Sequence, residues 1–200
     1  MRKRAAFVAI AAVLSILSAC EKSNSGGGGT GALTGNWAFV YLTAKTQSTA
    51  IETYGNTTNK SISTSQYTST NNKGVVTFTT DSMYGKGIGY SITAVTKGYF
   101  YENGMFLDSV SVPLSFSLPP FNSSVKYKLV GNDSLSFTGS SFTLPPGGNP
   151  APASNGGHYT ITGDTLRITT SITQTSTQSQ AGDVMTQTDQ AVETIVLHRQ

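Results

Sequence analysis

Gly35-Asn36-Trp37-Ala38-Phe39-Val40-Tyr41-Leu42 is the stretch on which the fold turns. Trp37, Phe39 and Tyr41 alternate with Ala38, Val40 and Leu42, the two-residue period of a β-strand, and both faces are apolar. Downstream the same signal returns. Val75 to Phe78 runs into Thr80-Asp81-Ser82, and Tyr84 to Thr96 reads as a strand interrupted by glycines, which mark bends or bulges. Tyr99, Phe100 and Tyr101 precede Glu102-Asn103-Gly104, an Asn-Gly signal for a type I′ hairpin. A strand over Leu107 to Leu118 is expected to stop at Pro119-Pro120. Two echoing segments, Tyr127 to Phe137 and Tyr159 to Ile168, each place Gly and Asp between strands, as hairpins require. The last pair, Thr165 to Thr177 and Thr186 to Arg199, flanks Gln178 to Asp183. Ser48 to Asn72 reads equally as a long loop or one irregular strand, and Leu144 to Gly157, with four of the seven prolines, reads as a loop. These runs predict an all-β fold of about eight to ten strands, an antiparallel up-and-down β-barrel with a two-sheet sandwich as the alternative.

Upstream, Arg2, Lys3 and Arg4 precede the apolar run Ala5 to Leu17, whose 13 residues are too few to span a bilayer about 30 Å thick as a helix. An export signal is expected. It closes on Leu17-Ser18-Ala19-Cys20, which resembles the bacterial lipoprotein box, and the resemblance implies diacylglycerol on the Cys20 thiol, cleavage before it, and stable membrane anchoring by two or three acyl chains. Cys20 is the sole cysteine, and the Gly-rich stretch that follows it to Leu33 has the composition of a flexible tether. The expected division is therefore a signal peptide at 1–19, a lipidated tether at 20–33 and one barrel domain at 34–200.

A Gly-x-Trp opening the first strand, Gly35-Asn36-Trp37, and an Arg in the last, Arg199, resemble the lipocalin and fatty-acid-binding superfamily, and with the lipobox they resemble the lipocalin-like lipoproteins of Gram-negative bacteria. The resemblance implies that Trp37 plugs the closed end of the barrel while Arg199 packs across it. It also implies a small hydrophobic ligand and lipid anchoring at the outer membrane, on its periplasmic or cell-surface face, with palmitate as the label for the anchor. The mid-chain Thr80-Asp81-Ser82 departs from the family's Thr-Asp-Tyr at its third position.

Of the 13 Lys and Arg, three lie in the signal, leaving 10 against 10 Asp and Glu, so the mature chain is neutral overall and nucleic acid is set aside as a partner. His158 and His198 sit in different runs, no Gly-x-Ser-x-Gly elbow occurs and no carboxylates cluster, so neither an enzyme, a metal site nor a cofactor is expected. One pattern recurs: Asp81-Ser82-Met83, Asp108-Ser109-Val110, Asp133-Ser134-Leu135 and Asp164-Thr165-Leu166. It resembles an Asp-Ser/Thr-apolar O-glycosylation signal of exported bacterial proteins, which would place sugars on Ser82, Ser109, Ser134 and Thr165. Turn chemistry alone produces the same pattern, Asp ending a turn and a hydroxyl residue starting the next strand. Two functions follow: a membrane-anchored module that binds a small hydrophobic molecule, or a non-enzymatic cell-envelope structural or interaction protein without such a ligand.

Overall fold

The computed structural model describes residues 30–138, 155–180 and 183–200; the signal segment, Cys20, most of the tether and most of the proline-rich loop lie outside the described residues. One helical turn, α1 (Thr30–Leu33), precedes nine strands: β1 (Gly35–Tyr54), β2 (Thr57–Thr68), β3 (Thr70–Phe78), β4 (Ser82–Glu102), β5 (Met105–Val130), β6 (Ser134–Thr138), β7 (Asn155–Thr162), β8 (Thr165–Gln180) and β9 (Asp183–Arg199). All paired neighbours are antiparallel, and the β1–β9 pairing closes the sheet into a ring. The fold is an up-and-down barrel, in which a single sheet surrounds one core.

β2 and β3 share one place in that ring. The lower part of β1, Gly35–Ala38, pairs with β3, and its upper part, Thr43–Tyr54, pairs with β2; β4 does the same from the other side. The break falls at Ser69, which exchanges bonds with the Leu42 backbone: Ser69 N–H donates to Leu42 O at 2.8 Å, and Leu42 N–H donates to Ser69 Oγ at 2.9 Å. Asn71, at φ 53°, and Gly74, at φ 111°, take the bend. Ser48 to Asn72 is thus neither a loop nor one strand: it supplies the end of β1, β2 and the start of β3.

Long strands make a tall wall. β5 runs straight through Pro119-Pro120 rather than ending there. The prolines are tolerated because β5 pairs with β6 only over Lys126–Val130, so nearer its start one side of the strand asks for no N–H, and register shifts around Ile88 absorb the irregularity on the β4 side. β6 and β7 are short, and β7 meets β8 only over Thr165–Thr169. Among the described residues the ring is therefore complete only in its lower half. Above, β5, β4, β2, β1, β9 and β8 continue as a curved wall.

The lower half is filled by its own side chains. Trp37, Phe78, Met83, Leu135, Leu166 and Leu197 are buried, with Phe78 edge-on to Tyr127 at 5.9 Å between ring centroids. Leu33, the last residue of the stretch read as tether, is also fully buried, so α1 caps the barrel instead of hanging free.

Candidate functional site

Trp37 and Arg199 are brought together at the sealed end, where they are direct partners across the β1–β9 register. The Arg199 guanidinium carbon stands 4.3 Å from the centroid of the Trp37 ring, within the range of a cation–π contact. Trp37 Nε1 donates to Leu33 O at 2.8 Å, and Arg199 donates to Ala32 O at 2.5 Å and to Thr34 O at 3.4 Å. The pair binds α1 to both ends of the barrel chain.

Three of the four Asp-Ser/Thr-apolar segments lie at the turns of this same end. The carbonyls of Asp81, Asp133 and Asp164 accept the N–H of Tyr127, Tyr159 and Arg199 at 2.8, 2.7 and 2.8 Å. Ser82 Oγ donates to Asp81 Oδ1 at 2.9 Å and Ser134 Oγ to Asp133 Oδ1 at 3.1 Å, while Ser82 itself is buried. Each Asp here starts a strand and ties it to the next one returning. Ser109 alone stands on exposed wall, in the upper part of β5. Thr165 is half-buried at the start of β8.

The upper half is a cup whose two sides differ in chemistry. Counting the alternation from Trp37 and Phe39 across the bulge at Val40, the inward positions of β1 continue through Leu42, Ala44, Thr46 and Ser48, and their partners on β2 are Tyr67, Ser65 and Ser63. On the β4–β5 side the inward positions are apolar except for Thr96: Leu114 opposes Ala94, Val112 opposes Thr96 and Val110 opposes Gly98. A cavity of about 40 Å³ is lined by these last residues with Phe100, Ser61 and Ser63. It exists because Gly98 has no side chain; a Cβ there would stand 3.1 Å from Val110 Cγ2.

At the floor of the cup lies a polar layer that the sequence did not advertise. Thr170, Glu193, Ala44 and Tyr67 follow one another in register across β8, β9, β1 and β2. Glu193 is only 6% exposed, and Ser65 Oγ and Thr170 Oγ1 are buried without a hydrogen-bond partner. Burial, and then the Glu193 charge, pushes the Tyr67 phenol up to about 12; the same two causes, with Tyr67 itself, push Tyr90 further up. Tyr90 also lies edge-on to Phe39 and to Phe116, with centroids 6.1 and 6.5 Å apart. Below this layer the interior is packed with apolar and aromatic side chains; above it the wall opens. The only advance signal was Glu193 itself, a carboxylate at an inward position of a strand whose other inward positions include Ile195 and Leu197.

His158 has an acid beside it, supplied by the turn before β6. Its Nδ1 lies 3.5 Å from Asp133 Oδ2, and it is the register partner of Ser134. The wiring is unsuited to nucleophilic attack, since Ser134 Oγ donates to the carboxylate and not to the imidazole. Among the described residues no three His, Cys, Asp or Glu side chains come together as a metal would require, and no helix is long and apolar enough to cross a membrane. No family model, curated protein or solved structure matches the chain.

Proposed function

We propose that this chain is a membrane-tethered, lipocalin-like binding protein, anchored through Cys20 at the outer membrane, whose cup takes a small amphipathic molecule. The apolar body would lie along Val110, Val112 and Leu114, and a polar group would face Ser65, Thr170 and Glu193. The observation that carries this reading is the change of the interior from packed to open at a layer holding two buried hydroxyls without partners. Such hydroxyls cost roughly 1–3 kcal/mol each when left unsatisfied, so a bound polar group or water is favoured there. A saturable rise in the fluorescence of N-phenyl-1-naphthylamine, displaced by a long-chain fatty acid or alcohol, is the expected result. Val112→Asp, on half-exposed wall, should weaken it by about tenfold or more by placing a charge against the apolar body.

A second reading, a non-enzymatic envelope interaction protein, is favoured by the packed lower half, which leaves no room for a ligand in the part of the barrel that closes. A titration without saturation would leave this second reading in place. The anchor is tested separately: palmitate should label the wild type and not Cys20→Ala, and label persisting in the variant would remove the anchor from the proposal.

A further inference from the structure

β8 reaches beyond its neighbour. β7 covers it only as far as Thr169, and among the described residues Thr170 to Gln180 pairs with β9 alone. The direction of its free bonds can be read from the ladder. Arg199 N–H donates to Asp164 O, and the β8–β9 register runs without a shift, so the hydrogen-bonded pairs fall on the even positions of β8. The odd positions, Ser171, Thr173, Thr175, Thr177 and Ser179, therefore turn both N–H and C=O away from β9, to the side that no described strand pairs with. Such a row is a template for another strand. Natural edges are guarded by charges, prolines or bulges, and Thr170-Ser171-Ile172-Thr173-Gln174-Thr175-Ser176-Thr177-Gln178-Ser179-Gln180 has no charge, no proline and no register shift.

We propose that this edge is an interaction surface and that its occupant is a second copy of the same edge. Laid antiparallel about a twofold axis at Thr175, Ser171 meets Ser179, Thr173 meets Thr177 and Thr175 meets itself. Each copy gives five N–H donors and takes five in return, and a total of this size is near the roughly ten hydrogen bonds of an ordinary protein interface. No like charges are brought together. The other edge without a partner among the described residues, β5 before Lys126, cannot serve in the same way: Pro113, Pro119 and Pro120 lie in it, and a strand with prolines does not complete a ladder. β8 pairing onto a neighbour's β5 would be head-to-tail and open-ended, whereas β8 pairing onto β8 closes after two copies. The prolines thus select a dimer over a filament.

The mature chain from Cys20, prepared without lipid as Cys20→Ala, should show a concentration-dependent doubling of mass by light scattering. Hydrogen exchange should slow at the amides of Ser171, Thr173, Thr175, Thr177 and Ser179 as dimer forms, while the even positions stay protected throughout by β9. Thr175→Pro removes a donor from the uncovered side and none from the β9 ladder, so it should be monomeric with an unchanged circular dichroism spectrum. Thr173→Lys with Thr177→Lys, which places like charges opposite one another, should also be monomeric, and should recover dimer at high salt. A wild type that stays monomeric at every soluble concentration, a dimer whose odd-position amides exchange freely, or a folded Thr175→Pro that still dimerises would overturn the proposal.

Discussion

Trp37→Ala should destabilise the domain by about 3–5 kcal/mol in urea unfolding, the usual cost of emptying a large aromatic site, because the ring is fully buried and its Nε1 holds Leu33. Arg199→Ala should cost less, and a double-mutant cycle should return a coupling of roughly 0.5–2 kcal/mol for the stacked pair. A coupling of zero would show that the two act independently. The buried phenols set an alkaline limit. Tyr67 and Tyr90 hold their protons more tightly folded than unfolded, so their contribution is fully present below the unfolded value near 10 and is lost as pH rises through about 12 for Tyr67 and at still higher pH for Tyr90. Absorbance titration of the tyrosinates should show late ionisation in the wild type, and Glu193→Gln should lower the Tyr67 midpoint without restoring the ordinary value, since burial is the larger cause. Trp37 and Arg199 could be picked from the sequence because their places, first strand and last, are themselves the signal. Ser65 and Thr170 could not, because a serine or threonine in a Thr-rich strand looks the same whether it faces water or the floor of a cup.

Strand identity was largely legible and strand length was not. The Asn103-Gly104 turn is where its dipeptide put it, with φ of 49° and 82°, and Gly131 and Gly163 take positive φ in the two echoing hairpins. The proline pair at 119–120 and the polar stretch Ser48–Asn72 misled because both rules behind them assume a strand bonded on two sides or buried on one face. Here, among the described residues, β5 is bonded on one side for most of its length, and its upper part, Met105–Pro113, is exposed on both faces. The kink between β2 and β3 rests on a close backbone approach. A Cβ at Gly74 would lie 2.7 Å from Gly87 O, at a φ of 111° that side chains avoid. Gly74→Ala should therefore lower the urea midpoint by about 1–3 kcal/mol equivalent, whereas Gly55→Ala, with nothing within 4 Å of its Cβ, should cost less from strain in its turn alone.

Stability should be graded from the sealed end to the mouth. Amides around Trp37, Val76, Leu135, Leu166 and Leu197 sit in the packed half and should exchange only by global unfolding, while those of Leu107 to Val112, on wall with few buried neighbours, should exchange by local opening. Uniform protection over both sets would contradict this division. The first and last strands of the ring also meet at the sealed end, where Gln200 N–H donates to Asn36 O at 3.0 Å. Both ends of the described chain, Thr30 and Gln200, accordingly lie beneath the bowl. If the proposed tether holds the protein, a copy anchored there presents its mouth away from the support, so orientation is inherited from connectivity alone, and no face of the barrel has to recognise the surface beneath it.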